Sequence, residues 1–196
     1  MNKKVIITLA LASLTFTGCL SFDGGGTSNT DQGLPADSSK NYDNGQVSFQ
    51  YPSNWELIEP KDFTSEIPKE TQVVVRNNIK NENFTANINV VKNDLQVEKS
   101  ALDYAKEVLN RQRTGLLDYK ETKREIITAV MGGSSQETYY VEFEARLNPS
   151  DPITKHFQTY GVKGRFGYII LASSSSAENS AVIDVLQKIE KAFKVI

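Results

Sequence analysis

The chain has 196 residues, 22 Lys and Arg against 24 Asp and Glu, and 39% hydrophobic residues, with a single cysteine and a single histidine. A formal charge of −2 at pH 7 supplies no basic surface of the kind that tracks a nucleic-acid backbone. One cysteine and one histidine do not make a zinc site of the usual His and Cys type, and leave no second imidazole for Ser-His-Asp or Cys-His chemistry.

Lys3 and Lys4 form a short positive region, Val5 to Phe16 an apolar run of about twelve residues, and Thr17 and Gly18 lead to Cys19, the layout of an export signal. The run is too short to cross a bilayer as a helix, which takes roughly twenty apolar residues. Cys19 at this boundary resembles the lipidation site of a bacterial-type or archaeal lipoprotein, with Phe16 where such sites usually carry Leu. A retained anchor, or an ordinary secretory signal with an incidental cysteine, is the alternative. Acyl chains on Cys19 would hold the protein to the membrane, because each buried methylene contributes about 0.8 kcal/mol and two chains hold where one only visits. Loss of residues 1–18 removes Lys3 and Lys4, so 20 basic residues face 24 acidic ones and the membrane link is the lipid, not the protein surface.

Residues 19–41 are rich in Gly, Ser, Thr, Asp and Asn, with Gly24-Gly25-Gly26 near the cysteine and hardly a large apolar residue after Phe22. Such a stretch buries too little to offset its ordering entropy, and reads as a tether with a reach on the order of 25 Å. Residues 42–196 then read as one domain of ordinary size.

Within it, Val47, Phe49 and Tyr51 alternate with polar residues and predict a strand over Gln46–Tyr51, closed by Pro52-Ser53-Asn54 before Trp55. Phe84, Ala86, Ile88 and Val90 alternate with Thr85, Asn87 and Asn89, the pattern of a half-buried strand. Ser100 caps a predicted helix with Asp103 three residues on. Leu102, Ala105, Val108 and Leu109 form its stripe, and the helix stops near Gly115. Tyr119–Val130 and Glu137–Leu147 read as antiparallel strands joined at Met131-Gly132-Gly133-Ser134. Tyr139, Val141, Phe143 and Ala145 share one face, and Tyr140, Glu142, Glu144 and Arg146 the other. Strands at Lys155–Lys163 and Phe166–Ser173 follow, parted by Gly164, and Val182, Leu186, Ile189 and Phe193 recur at helical spacing. Hairpin-ordered strands with a helix between the halves and one at the end predict an α+β fold, an antiparallel sheet with packed helices.

The segment YDNGQVSFQYPSNW, Tyr42 to Trp55, resembles the opening of the PsbP-like domains, also called Mog-like or DcrB-like, whose first strand ends in Tyr-Pro-x-x-Trp. Those positions are Tyr51, Pro52 and Trp55 here. The helix near Ser100–Arg113, the Gly132-Gly133 hairpin, the strand Phe166–Ala172 and a final helix ending in Lys191-Ala192-Phe193-Lys194 agree with that family in order. The resemblance implies a PsbP-like αβ sandwich and an accessory or adaptor domain more often than a catalyst. The family spans photosystem II extrinsic subunits, a Ran-binding nuclear protein and many prokaryotic lipoproteins, so the fold alone carries no activity.

No Walker loop, G-x-S-x-G elbow or H-E-x-x-H occurs. His156, beside Phe157 in a predicted strand, reads as a packing or solvent-face residue, with a lone metal ligand as the alternative. Gly161, Gly164 and Gly167 sit between strands, which favours turn and strand crowding over a phosphate cradle. Glu142, Glu144 and Arg146 read as a solvated face. Asp43, Asn44, Asn148 and Asp151 could offer oxygens to calcium but lack the spacing of a calcium loop. Lys120, Lys123 and Arg124, with Arg111 and Arg113, are interleaved with Glu121 and Glu125 as an ordinary charged surface is, a basic docking patch being the alternative. Asn83-Phe84-Thr85 is an N-glycosylation sequon. Phe49, Tyr51 and Trp55 read as core anchors.

The expectation is a lipid-anchored extracytoplasmic protein of the cell envelope with a non-enzymatic interaction domain. It has no cofactor or nucleic-acid partner, with the membrane reached through Cys19 and a protein partner in the envelope. The alternative is a small-molecule or ion-binding lipoprotein serving a membrane transporter.

Overall fold

The computed structural model describes residues 38–65, 67–79 and 84–196. Cys19 and Asn83 lie outside the described residues.

The chain forms β1 (Ser39–Asp43), β2 (Val47–Pro52), β3 (Glu56–Ile58), a 3-10 turn (Pro60–Asp62), β4 (Thr71–Arg76) and β5 (Asn87–Asp94). Then come α1 (Ala101–Gly115), β6 (Leu117–Met131), β7 (Ser134–Arg146), β8 (Thr154–Lys163), β9 (Phe166–Ser175), α2 (Ser180–Ala192) and β10 (Lys194–Val195). The strands make one sheet in the order β1-β2-β10-β6-β7-β8-β9-β5-β4-β3. Every pairing is antiparallel except β10 with β6.

α1 and α2 cover opposite faces of this sheet. Along β7, Tyr140 belongs to the core under α2 with Phe157, Ile170, Leu186 and Phe193, while Val141 and Phe143 belong to the core under α1 with Tyr104, Val108, Leu109 and Leu171. The central strands are therefore buried on both sides, which is why β8 and β9 show almost no exposed residue. The predicted α+β sandwich is the observed architecture.

Local chemistry explains the elements that were legible. Ser100 Oγ accepts from the Asp103 amide at 3.1 Å and donates to the Asp103 carboxylate at 2.8 Å, which closes the first turn of α1. Gly132 and Gly133, at φ 60° and 77°, supply the left-handed pair that a two-residue hairpin needs between β6 and β7.

Four readings shift. β1 takes in Ser39–Asn41 from the stretch assigned to the tether. Tyr42 packs on Phe49 with ring centroids 5.2 Å apart, and its polar neighbours add backbone pairing with β2, which leaves no mark in side-chain composition. The strand expected from Phe84 begins at Asn87 and is buried on both faces, Asn87 and Asn89 included. The amide of Asn89 donates to Asn87 Oδ1 at 2.8 Å and that of Asn87 to the Thr85 carbonyl, so both side-chain amides find acceptors although Asn89 Oδ1 finds no donor among the described residues. The final helix stops at Ala192, and Lys194–Val195 enter the sheet between β2 and β6. The face of β7 read as solvated is covered at Tyr140 by α2.

Candidate functional site

An open groove of about 650 Å³ runs between α2 and the β1–β2 ribbon. Its apolar floor is Phe49, Tyr51, Val185, Ile189 and Ala192. Ser39, Asn41 and Asp43 of β1 and their register partners Pro52, Gln50 and Ser48 form one wall. Phe49 is locked from behind, stacked on Phe193 at 5.6 Å. Lys188 and Lys194 also line the groove, and neither is in an ion pair among the described residues. The Asp43 carboxylate already accepts the Gly45 amide at 2.8 Å, so it belongs to its own turn. β1 is the last strand on its side of the sheet, and among the described residues no strand pairs with its outer edge. The combination is an amphipathic trough beside a strand edge that no other described strand covers.

Of the residues singled out in the sequence, Tyr51 and Trp55 are buried in the core under α2 and Pro52 ends β2, its carbonyl accepting the Trp55 amide at 3.0 Å. Trp55 Nε1 finds no acceptor among the described residues.

His156 is sealed under α1, 2% exposed and stacked on Phe143 at 4.8 Å. Its Nε2 lies 2.7 Å from Thr154 Oγ1 and its Nδ1 2.9 Å from Ser173 Oγ. The Thr154 hydroxyl donates to the Ala145 carbonyl, so it must accept from Nε2–H, and the Ser173 hydroxyl donates to Nδ1. Burial lowers the imidazole pKa from 6.5 to about 3, so it stays neutral. This is a packing residue held by two hydroxyls, out of reach of a bound ligand at the surface.

The oxygens weighed for calcium are not brought together. Asp43 and Asn44 sit in the β1–β2 turn, at the end of the sheet where Val195 meets Met131, while Asn148 and Asp151 close the β7–β8 turn at the other end. Asn44 Oδ1 caps the Gln46 and Val47 amides, and the Asp151 carboxylate accepts the Asn148 amides. Among the described residues no group of three or more His, Cys, Asp or Glu is placed to hold a metal ion.

The basic cluster is largely ion-paired. Glu121 sits between Arg113 at 2.8 Å and Arg124 at 2.5 Å, Lys123 and Lys191 share Glu125, and Arg111 pairs with Glu107. Burial raises the Glu121 carboxyl, but Arg124 and Arg113 together bring it below the ordinary value. Gly161 gives way to the Met131 side chain and Gly167 to the Tyr104 ring, so this spacing serves packing.

One buried residue went unremarked in the sequence. Glu190 is 1% exposed on the underside of α2. Its carboxyl group faces Thr159 and the backbone of Ala172 without either oxygen reaching full hydrogen-bond geometry, and burial pushes its pKa well above the ordinary carboxylate value. The signal was present, since Val182, Leu186 and Glu190 follow one another at four-residue steps along the apolar stripe.

No family model matches the sequence, and no curated protein matches it significantly. Among solved structures, cyanobacterial PsbP (CyanoP) from Synechocystis sp. PCC 6803 superposes with a TM-score of 0.56 at 16% identity, over 84% of this chain and 96% of that one. The Saccharomyces cerevisiae Ran-binding protein Mog1p gives 0.54 at 14% identity, over 81% and 95%. LpqN, involved in cell envelope biogenesis of Mycobacterium tuberculosis, gives 0.50 at 14% identity, over 81% and 90%. At this identity the likeness is one of fold: the chain adopts the PsbP/Mog1-like α+β sandwich.

Proposed function

We propose that the protein is an extracytoplasmic lipoprotein, processed and lipidated at Cys19, whose domain is a non-enzymatic adaptor for a membrane or envelope complex. The observation that carries the adaptor reading is the open groove between α2 and β1–β2, beside a strand edge that no other described strand pairs. That shape suits strand addition, in which an extended segment of an envelope protein pairs with β1 through its backbone and lays alternate side chains into the trough. The unpaired Lys188 and Lys194 in the trough favour a segment with acidic side chains. Support from the fold neighbours is general: one is named for binding Ran and another for cell envelope biogenesis.

The test has two arms in the native host. Intact mass and membrane partitioning of wild type and Cys19→Ala examine the anchor, with a lipid-sized mass addition and membrane retention expected only in the wild type. A photo-crosslinking residue in place of Asn41 examines the adaptor. A discrete envelope protein captured there, and lost on Lys188→Glu, supports it, whereas no discrete adduct in intact membranes overturns it.

The groove volume also falls within the usual range for small-molecule sites, which keeps ligand delivery to a transporter as a second reading. Its open trough gives less enclosure than such sites normally provide.

A further inference from the structure

At the end of the sheet away from Ser38, a second concavity of about 470 Å³ is lined by Gln46, Lys92, Lys163, Arg165, Phe166 and Tyr168, with Gly164. Three separate segments build it: the β1–β2 turn, β5 and the β8–β9 hairpin. Its lining holds three cations and no carboxylate. Asp94, two residues beyond Lys92 on β5, does not line it. Among the described residues neither Lys92, Lys163 nor Arg165 is in an ion pair with a carboxylate side chain, although most of the other basic residues are.

Lys92 is pre-positioned. Its ammonium donates to Gln46 Oε1 at 2.9 Å and sits 3.9 Å above the centre of the Phe166 ring. A cation held over an aromatic face keeps its charge and has N–H donors to spare, because the ring accepts through its whole face and an ammonium carries three donors. Lys163 is likewise fixed, donating to the main-chain oxygen of Ile196. The Lys92 ammonium, held before any ligand arrives, leaves less side-chain ordering to oppose binding, and Lys163 and Arg165 add their positive charge to the lining.

We propose that this pocket binds an oxyanion, the phosphate or carboxylate group of a small ligand, with Lys92 as its central contact. The inference stands apart from the adaptor reading, because the pocket and the groove share no residue, although both border the β1–β2 ribbon.

The test is an amide-resolved NMR titration of the full chain in detergent micelles with sodium phosphate, and separately with sodium acetate, against sodium chloride at matched ionic strength. Saturable shifts confined to Gln46, Lys92, Arg165 and Phe166 are expected, and Lys92→Gln should weaken the fit by about fivefold or more. Lys155→Gln, at the far end of β8, should leave it unchanged. Saturation by phosphate alone assigns a phosphate-bearing ligand, and saturation by both anions one read by charge. Shifts that stay linear, that chloride reproduces, or that survive Lys92→Gln overturn the site, and mean adventitious surface binding.

Discussion

The ring of Tyr104 occupies the space that a side chain at position 167 would need: a Cβ placed on Gly167 would stand 2.5 Å from Cζ of that ring. The ring cannot retreat freely, because its hydroxyl accepts from Asn93 Nδ2 at 3.0 Å and the residue is fully buried between α1 and the sheet. Gly167→Ala should therefore destabilise the domain by about 1–3 kcal/mol, the usual cost of overpacking a filled core. Urea unfolding reads this as a lower midpoint at constant slope, and an unchanged midpoint would mean that α1 yields at no cost.

Two buried groups, His156 and Glu190, set opposite pH limits. His156 has a folded pKa near 3 against an ordinary 6.5, so between those values the unfolded chain binds the extra proton and stability is lost as pH falls. Glu190 is raised well above its ordinary 4.5, so above that value the folded chain holds the extra proton and stability is lost as pH rises, until the folded group itself ionises. Between 4.5 and 6.5 the two slopes oppose each other, and outside that window each contributes up to about 1.4 kcal/mol per pH unit unopposed by the other, the ion-paired Glu121 adding to the acid limb. Stability measured across pH should show a broad top there. Glu190→Gln should flatten the alkaline limb and His156→Gln the acid limb, and unchanged curves in both variants would refute this account.

Ser100 closes the first turn of α1 through one hydroxyl. Ser100→Ala should cost about 1 kcal/mol, with Ser100→Thr recovering most of it. Equal stability of the Ala and Thr variants in thermal unfolding would show that packing of Tyr104 and Val108 alone fixes the helix start.

Val195 is fully buried, with its strand between β2 and β6. Val195→Asp places an unpaired charge there and should cost on the order of 3 kcal/mol. Hydrogen exchange should rise first in the amides of β2, while β8 and β9 stay protected. Uniform loss across the sheet would show that the ribbon and the centre open as one unit.

What could be read in the sequence followed from local chemistry. α1 carries its cap and stripe, and the β6–β7 hairpin its glycine pair, so both were legible within a few residues. β4 was not, because Val73, Val74 and Val75 are buried on both faces and leave no alternation to detect. β1, β3 and β10 are short, β1 carries mostly polar side chains, and β10 depends on partners distant in sequence. The face of β7 was misread at Tyr140 because only the tertiary fold lays α2 across it; the phenol then shares Glu142 Oε1 with Gln187. Both concavities are juxtapositions of separate segments, with Gln46 reaching Lys92 across 46 residues, and spacing along the chain does not encode them.

The seat of β10 between β2 and β6 also bears on when the domain can form. Among the described strands, β1 and β2 pair with the rest of the sheet through Lys194 and Val195, so this ribbon has no strand to join until β10, about 140 residues later, has been made. Closing so long a loop is slow, and a chain that cannot complete its sheet early stays pliable during synthesis.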